Sequence, residues 1–188
     1  MVESVFILNY QKKFKHESIL VTKKINGISF LDFLRSDIDS STKEEAFTSL
    51  VSTLGAFFRN GFYHYDPILQ NFLINQNQKP YQIIFLDFDS ISYMPRLSKK
   101  SVLYGLSKFN HSIYYLLVSQ NNEKLYSRDK MLFYLEILLK SYSSKISIDK
   151  AYNLLTQGTV KLLKRKKKLS IKNNVFISRM NDLNISKL

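Results

Sequence analysis

Asp66, Asn71 and Asp87 stand in otherwise apolar surroundings, and their types and spacing suit metal-assisted phosphate chemistry. Asn71 follows Asp66 by five positions and immediately precedes the apolar run Phe72 to Ile74. Asp87 ends a second apolar run, Ile83 to Leu86. The polar stretch Asn75 to Pro80 lies between the runs, so the segment reads as a small β-hairpin. Such a hairpin brings Asn71 and Asp87 to the same end. A carboxylate and an amide oxygen placed there can hold Mg²⁺, which prefers hard oxygen ligands and keeps water and phosphate as its others. Asp66, in the loop before the hairpin, can orient an attacking hydroxyl and accept its proton.

The order His64-x-Asp66, Asn71, then Asp87-Phe88-x resembles the catalytic loop and metal-binding strand of the kinase-like superfamily. The nearest likeness is to the lipopolysaccharide kinases of the Kdo/WaaP family, and further off to the RIO and aminoglycoside/choline kinases. Two details favour the small-molecule and glycolipid branch over protein kinases. Asp89 follows Phe88 where protein kinases have Gly, and Tyr65 stands where they carry the Arg that pairs with activation-loop phosphates. Pro67 replaces the usual Leu in the loop. The resemblance implies that Asp66 is the catalytic base or hydroxyl-orienting group. It implies that Asn71 and Asp87 hold Mg²⁺, with Asp89 serving a second metal or ordering the loop.

The elements that must position these residues are legible in outline. Val5 to Leu8 and Ser18 to Thr22 read as an antiparallel strand pair joined by a turn over Asn9 to Glu17. Ile28 to Leu34 reads as a short apolar helix. Ser41 and Thr42 followed by Glu44 and Glu45 offer a capping box for a second helix. Its apolar stripe runs through Phe47, Leu50, Val51, Leu54, Phe57 and Phe58, and Asn60-Gly61 ends it. This helix delivers the Asp66 loop. Ser92 to Lys100 reads as a connector. Helical spacing recurs over Ser101–Val118, Arg128–Tyr142 and Ile148–Leu163.

The expected fold class is therefore α+β and mostly helical, a protein-kinase-like C-lobe with a short residual N-lobe hairpin. Residues 1–27 make the residual strands and hinge, 28–160 the helical lobe with catalytic loop and metal-binding hairpin, and 161–188 a basic tail. By the resemblance, backbone groups at Lys23 to Ile25 meet the adenine of ATP. No glycine precedes Gly27, so neither a glycine-rich phosphate cover nor a strand lysine gripping the phosphates is assignable.

Bulk properties bound the rest. The 188-residue chain is long enough for one domain with a sizeable core. It has no Cys, which excludes disulfide scaffolds, zinc-thiolate sites and thiol nucleophiles. No apolar run reaches the length of a membrane span and no basic leader opens the chain, so neither span nor signal peptide is expected. The net charge of +13 implies an anionic partner. Its densest cluster is Lys164, Arg165, Lys166, Lys167 and Lys168, flanked by Lys161 and Lys172. This tail suits an anionic membrane or the substrate's phosphates, although a solvated helix end accounts for it equally.

By resemblance, the expected function is transfer of phosphate from Mg²⁺-ATP to a sugar hydroxyl of a glycolipid, peripherally on the cytoplasmic face of the inner membrane. A second reading is a pseudokinase or binding module, active only if a separate chain supplies an N-lobe. A third, a basic nucleic-acid binder, finds no recognition motif in the sequence.

Overall fold

The helix that delivers the loop is α2, Ser40–Arg59. It forms because its apolar positions recur at helical spacing; Ala46, Phe47, Leu50, Leu54 and Phe58 are buried. Its start differs from the expected capping box. Asp39 is the N-cap: its carboxylate accepts from the Thr42 backbone N–H at 2.8 Å and from the Ser41 hydroxyl at 2.6 Å. These hydrogen bonds hold the Asp39 carboxyl well below the usual carboxylate range. A carboxylate there also complements the helix dipole, so it outcompetes the serine two residues further in. The helix ends as its sequence suggests, with Gly61 at φ 80° in the left-handed region.

The computed structural model describes residues 4–12, 15–22, 26–120, 127–142 and 145–165, with backbone alone for 4–22, 115–120 and 163–165. The chain begins with β1, Ser4–Lys12, and β2, Lys15–Thr22, paired antiparallel with Lys12 opposite Lys15. The strands are longer and the turn tighter than the sequence suggested, because the polar residues of both strands join the ladder. The expected hinge at Lys23 and Ile25 lies outside the described residues.

Ile28 and Ser29 form strand β3 rather than the start of a helix, with Ile28 opposite Ile74. Ser29 then caps the short helix α1, Phe30–Arg35, by accepting from the Asp32 N–H. After α2 come β4, Phe62–His64, β5, Phe72–Asn75, and β6, Gln82–Phe85. The strands β3, β5 and β6 make one antiparallel sheet, in which Phe72 faces Phe85 and Asn75 faces Gln82. The stretch expected to be a connector opens with β7, Ile91–Tyr93, paired with β4. Three long helices follow: α3, Lys99–Gln120, α4, Arg128–Tyr142, and α5, Ile148–Arg165. The fold is mostly helical with small antiparallel sheets, as expected.

The core is aromatic where helices meet the hairpin. Phe47 of α2 lies 4.5 Å from Tyr134 of α4 and 5.9 Å from Phe30 of α1, centroid to centroid. Phe72 meets Phe109 of α3 edge-on at 5.9 Å and Phe85 at 5.3 Å. Phe30 and Phe72 are wholly buried. Burying such a side chain is worth about 1.5–3 kcal/mol. The hairpin carrying Asn71 is thus fixed to the helical body by its first residue.

Candidate active site

Two backbone ties anchor the loop from 65 to 71 against the segment from 86 to 90. Tyr65 N–H donates to the Ser90 carbonyl at 2.7 Å, and Leu86 N–H donates to the Asn71 carbonyl at 2.8 Å. The first extends the β4–β7 ladder, and the second extends the β5–β6 ladder beyond Phe72 and Phe85. Asp66, Asn71 and Asp87 are held in one neighbourhood by these ladders, with Asn71 and Asp87 at the same end of the hairpin.

His64 locks the arrangement from within. It is fully buried, at 0% exposure. Asp66 N–H donates to its Nδ1 at 3.2 Å, and its Nε2 lies 3.1 Å from the Leu86 carbonyl. A ring nitrogen that accepts carries no proton, so the proton sits on Nε2 and is donated to Leu86. Burial pushes the His64 pKa down, outweighing the hydrogen bond and the nearby Asp87 and Asp66 carboxylates that favour the charged form. A neutral imidazole therefore bridges the two segments that carry Asp66 and Asp87.

Each predicted residue has a definite setting. Asp66 is half-buried, and its backbone carbonyl accepts from Ile68 N–H at 2.8 Å and from Asn71 Nδ2 at 2.8 Å. Its carboxylate makes no hydrogen bond or ion pair among the described residues, which leaves it available as a base. Asn71 spends its amide nitrogen on the loop, so its Oδ1 is the atom left to meet a ligand. Asp87 has φ 56° and ψ 60°, the left-handed region, which Asp adopts more readily than most non-glycine residues. One carboxylate oxygen, Oδ2, accepts from the Ser90 hydroxyl at 2.6 Å. Asp89 is exposed in the following turn, Phe88–Ser90, with no hydrogen bond or ion pair among the described residues.

These donors suit Mg²⁺. An amide oxygen and a carboxylate, both hard, leave most of an octahedral shell to water and phosphate. Among the described residues no group of three or more His, Cys, Asp or Glu could hold a metal. Of the tail, Lys161 is exposed on α5, while Lys164 and Arg165 lie in that helix's last turn. Lys166, Lys167, Lys168 and Lys172 lie outside the described residues.

The sequence reading missed Lys108. From α3 its ammonium donates to the Tyr65 carbonyl at 2.5 Å, one residue before Asp66, and sits 5.9 Å from the Tyr104 ring centre. Tyr63 was missed as well. Its ring lies edge-on to Tyr65 at 4.9 Å and against Gly105, where an added Cβ would meet it at 3.2 Å. Only the spacing of Tyr104 and Lys108, one helical turn apart beside the apolar stripe, hints at these contacts in sequence.

Residues 9–112 match the model of the ABC1 atypical kinase-like domain. The fold is similar to that of WaaP, solved in complex with acyl carrier protein. The TM-score is 0.65 at 14% identity, covering 87% of this chain and 68% of that one. The bifunctional kinase-methyltransferase WbdD aligns with a TM-score of 0.46 at 19% identity, over 85% of this chain and 36% of WbdD. No protein of curated function matches the sequence. The kinase-like resemblance drawn from the motifs thus agrees with both the family and the fold.

Proposed function

The chain belongs to the ABC1 atypical kinase-like family, and on that premise we propose that it is an ATP-dependent phosphotransferase acting on a sugar hydroxyl of a glycolipid. One observation carries the reading. The two segments joined through His64 present two carboxylates and an amide oxygen: Asp66, whose carboxylate has no partner among the described residues, Asp87 and Asn71 Oδ1.

The roles divide accordingly. Asp66 orients the acceptor hydroxyl and takes its proton as the new oxygen–phosphorus bond forms. The bond from the γ-phosphorus to its bridging oxygen breaks, and ADP leaves with that oxygen. Asn71 Oδ1 and Asp87 would hold Mg²⁺, which neutralises charge on the phosphates when bound. Ser90 fixes one Asp87 oxygen and so selects the other for the metal. The glycolipid class rests on the family resemblance of Asp89 and Tyr65 and on the chain's excess positive charge. Lys161, Lys164, Arg165, Lys166, Lys167, Lys168 and Lys172 would place the protein on an anionic membrane surface, each cation contributing about 1 kcal/mol. In a vesicle sedimentation assay, Gln at positions 164 to 168 should largely abolish binding; sedimentation equal to the parent would remove the tail from the proposal.

A second reading is a kinase-derived binding module without turnover of its own. Calorimetry with Mg²⁺-ATP, followed by a transfer assay on a Kdo- or heptose-bearing acceptor, separates the two. Nucleotide binding lost in Asp87→Ala but kept in Asp66→Ala supports the assigned roles. Transfer abolished by Asp66→Ala establishes an enzyme. A parent that binds nucleotide without transfer is the binding module. A parent with no Mg²⁺-dependent nucleotide binding refutes the phosphotransferase.

A further inference from the structure

A cavity of about 820 Å³ opens beside the loop, between β4, the start of α3 and the start of α5. Its size lies within the roughly 300–1,000 Å³ of ordinary ligand pockets. Its lining divides by chemistry. Tyr63, Leu103, Tyr104 and Leu154 give an apolar and aromatic wall, while Lys99, Lys100, Lys145 and Lys150 are its charged residues. No Asp or Glu lines it. Asp149, in the first turn of α5, is outside the lining.

The four lysines are exposed and make no ion pair or hydrogen bond among the described residues. Three other described lysines are paired: Lys130 with Glu44, Lys79 with Glu45 and Lys140 with Glu136. Gathering four unpaired cations at one opening costs repulsion that an anion would relieve. The first turn of α3 contributes Lys99, Lys100 and Ser101, and the start of α5 contributes Lys150 with Ser147 just before it, so both helix dipoles add to the positive potential. The far side is held shut. Gly158 lies so close to Ser107 that an added Cβ would clash with its side chain, and buried Ser107 donates to the Leu103 and Leu155 carbonyls at 2.8 and 3.3 Å.

We propose that this cavity binds a phosphate-bearing amphiphile, with the phosphate at the four lysines and the apolar part on the Tyr63–Tyr104–Leu154 wall. A free phosphate has no use for that wall, and a neutral lipid has no use for the cations. Tyr65 lines the cavity, and Asp66, which follows it in the chain, does not. As an acceptor site the cavity rests on the phosphotransferase reading; as a binding site it does not.

The test uses the full chain with neither nucleotide nor Mg²⁺ present. Titration calorimetry compares dihexanoyl phosphatidic acid below its micelle concentration, dihexanoyl phosphatidylcholine and inorganic phosphate. The phosphatidic acid should bind at least tenfold more tightly than either comparison. Lys145→Glu with Lys150→Glu should weaken it at least tenfold, and Leu154→Ser should weaken it without changing the response to inorganic phosphate. Thermal melts confirm that the variants fold. Inorganic phosphate binding as tightly as the lipid overturns the proposal in favour of a bare anion site. Lipid binding indifferent to both sets of substitutions overturns it in favour of the basic tail. Absence of lipid binding overturns it and leaves the phosphotransferase reading intact, while loss of that reading alone leaves the cavity a lipid site.

Discussion

The Asn71 side-chain amide donates to the Asp66 backbone carbonyl at 2.8 Å, so the proposed metal ligand also closes the loop of the proposed base. Asp66 and Asn71 cannot move independently while this bond holds. A single substitution at Asn71 is therefore expected to reach both functions.

Asn71→Ala removes the loop closure and the Oδ1 donor together. The partly buried hydrogen bond is worth about 0.5–1.5 kcal/mol, so the fold should survive with a modestly lower urea midpoint. Affinity for Mg²⁺-nucleotide should fall at least tenfold by calorimetry. Asn71→Asp keeps an oxygen donor but loses the N–H, and should retain more nucleotide affinity than Asn71→Ala. Equal, parent-like affinity in both would remove Asn71 from the metal site.

His64 makes stability depend on pH. Its folded pKa is lowered from 6.5 by burial, so the unfolded chain takes up a proton first as pH falls. The contribution of the neutral ring is complete above about pH 6.5 and is lost as pH drops from there toward the lowered folded value. Urea unfolding at pH 7.5, 6.5 and 5.5 should show the midpoint falling only over the lower interval. In His64→Phe that added slope should disappear. The variant should also be less stable at every pH, because Leu86 and Asp66 each lose a partner at about 1–3 kcal/mol per unsatisfied group.

How much of this was legible follows from the range of each signal. The α2 stripe and the apolar runs of the hairpin are local periodicities, and the sequence displays them directly. The Asp66–Asn71 relation is also local, because five intervening bonds of loop hold both ends. β7 was not legible: Ile91-Ser-Tyr93 is too short for a period, Pro95 argues for a loop, and its strand character comes from pairing with β4 some thirty residues earlier. The N-cap was misplaced by two residues because Asp39, Ser40, Ser41 and Thr42 are all good caps, and only the backbone turn chooses among them. The cavity draws its lining from three distant segments and leaves no trace in any one of them.

Gly55 tests the packing that holds the loop helix. It sits at the crossing of α2 and α4, where a Cβ would lie 2.5 Å from the Leu138 carbonyl oxygen and 2.6 Å from the Ser141 Cβ. Intrinsic helix propensity favours Ala over Gly by about 1 kcal/mol. The clash opposes it, and one contact is backbone that cannot rotate away; overpacking of this kind costs about 1–3 kcal/mol. Gly55→Ala should therefore lower the Tm despite its better propensity. A raised Tm would show that α4 can withdraw without penalty.

Lys108 is expected to be a positioning residue for Asp66. Its ammonium holds the Tyr65 carbonyl at 2.5 Å from α3, and it touches neither proposed metal ligand in any described hydrogen bond. A charge-assisted bond of this type contributes about 1.5–3 kcal/mol when formed. Lys108→Met keeps much of the side chain's length and its packing near Tyr104 while removing the donor. On the phosphotransferase reading, turnover should fall at least tenfold, because the Asp66 carboxylate is no longer held against one hydroxyl position. Mg²⁺-nucleotide affinity should stay within about twofold, since Asn71 keeps its tie to Leu86 and Asp87 its ties to Ser90. Lys108→Arg, which can still donate to the carbonyl, should recover part of the turnover. A merely structural lysine would give a different pattern: Met would lower nucleotide affinity and turnover together, in step with a lower Tm, and Arg would restore neither selectively. That second pattern would place Lys108 in the fold and remove it from the site.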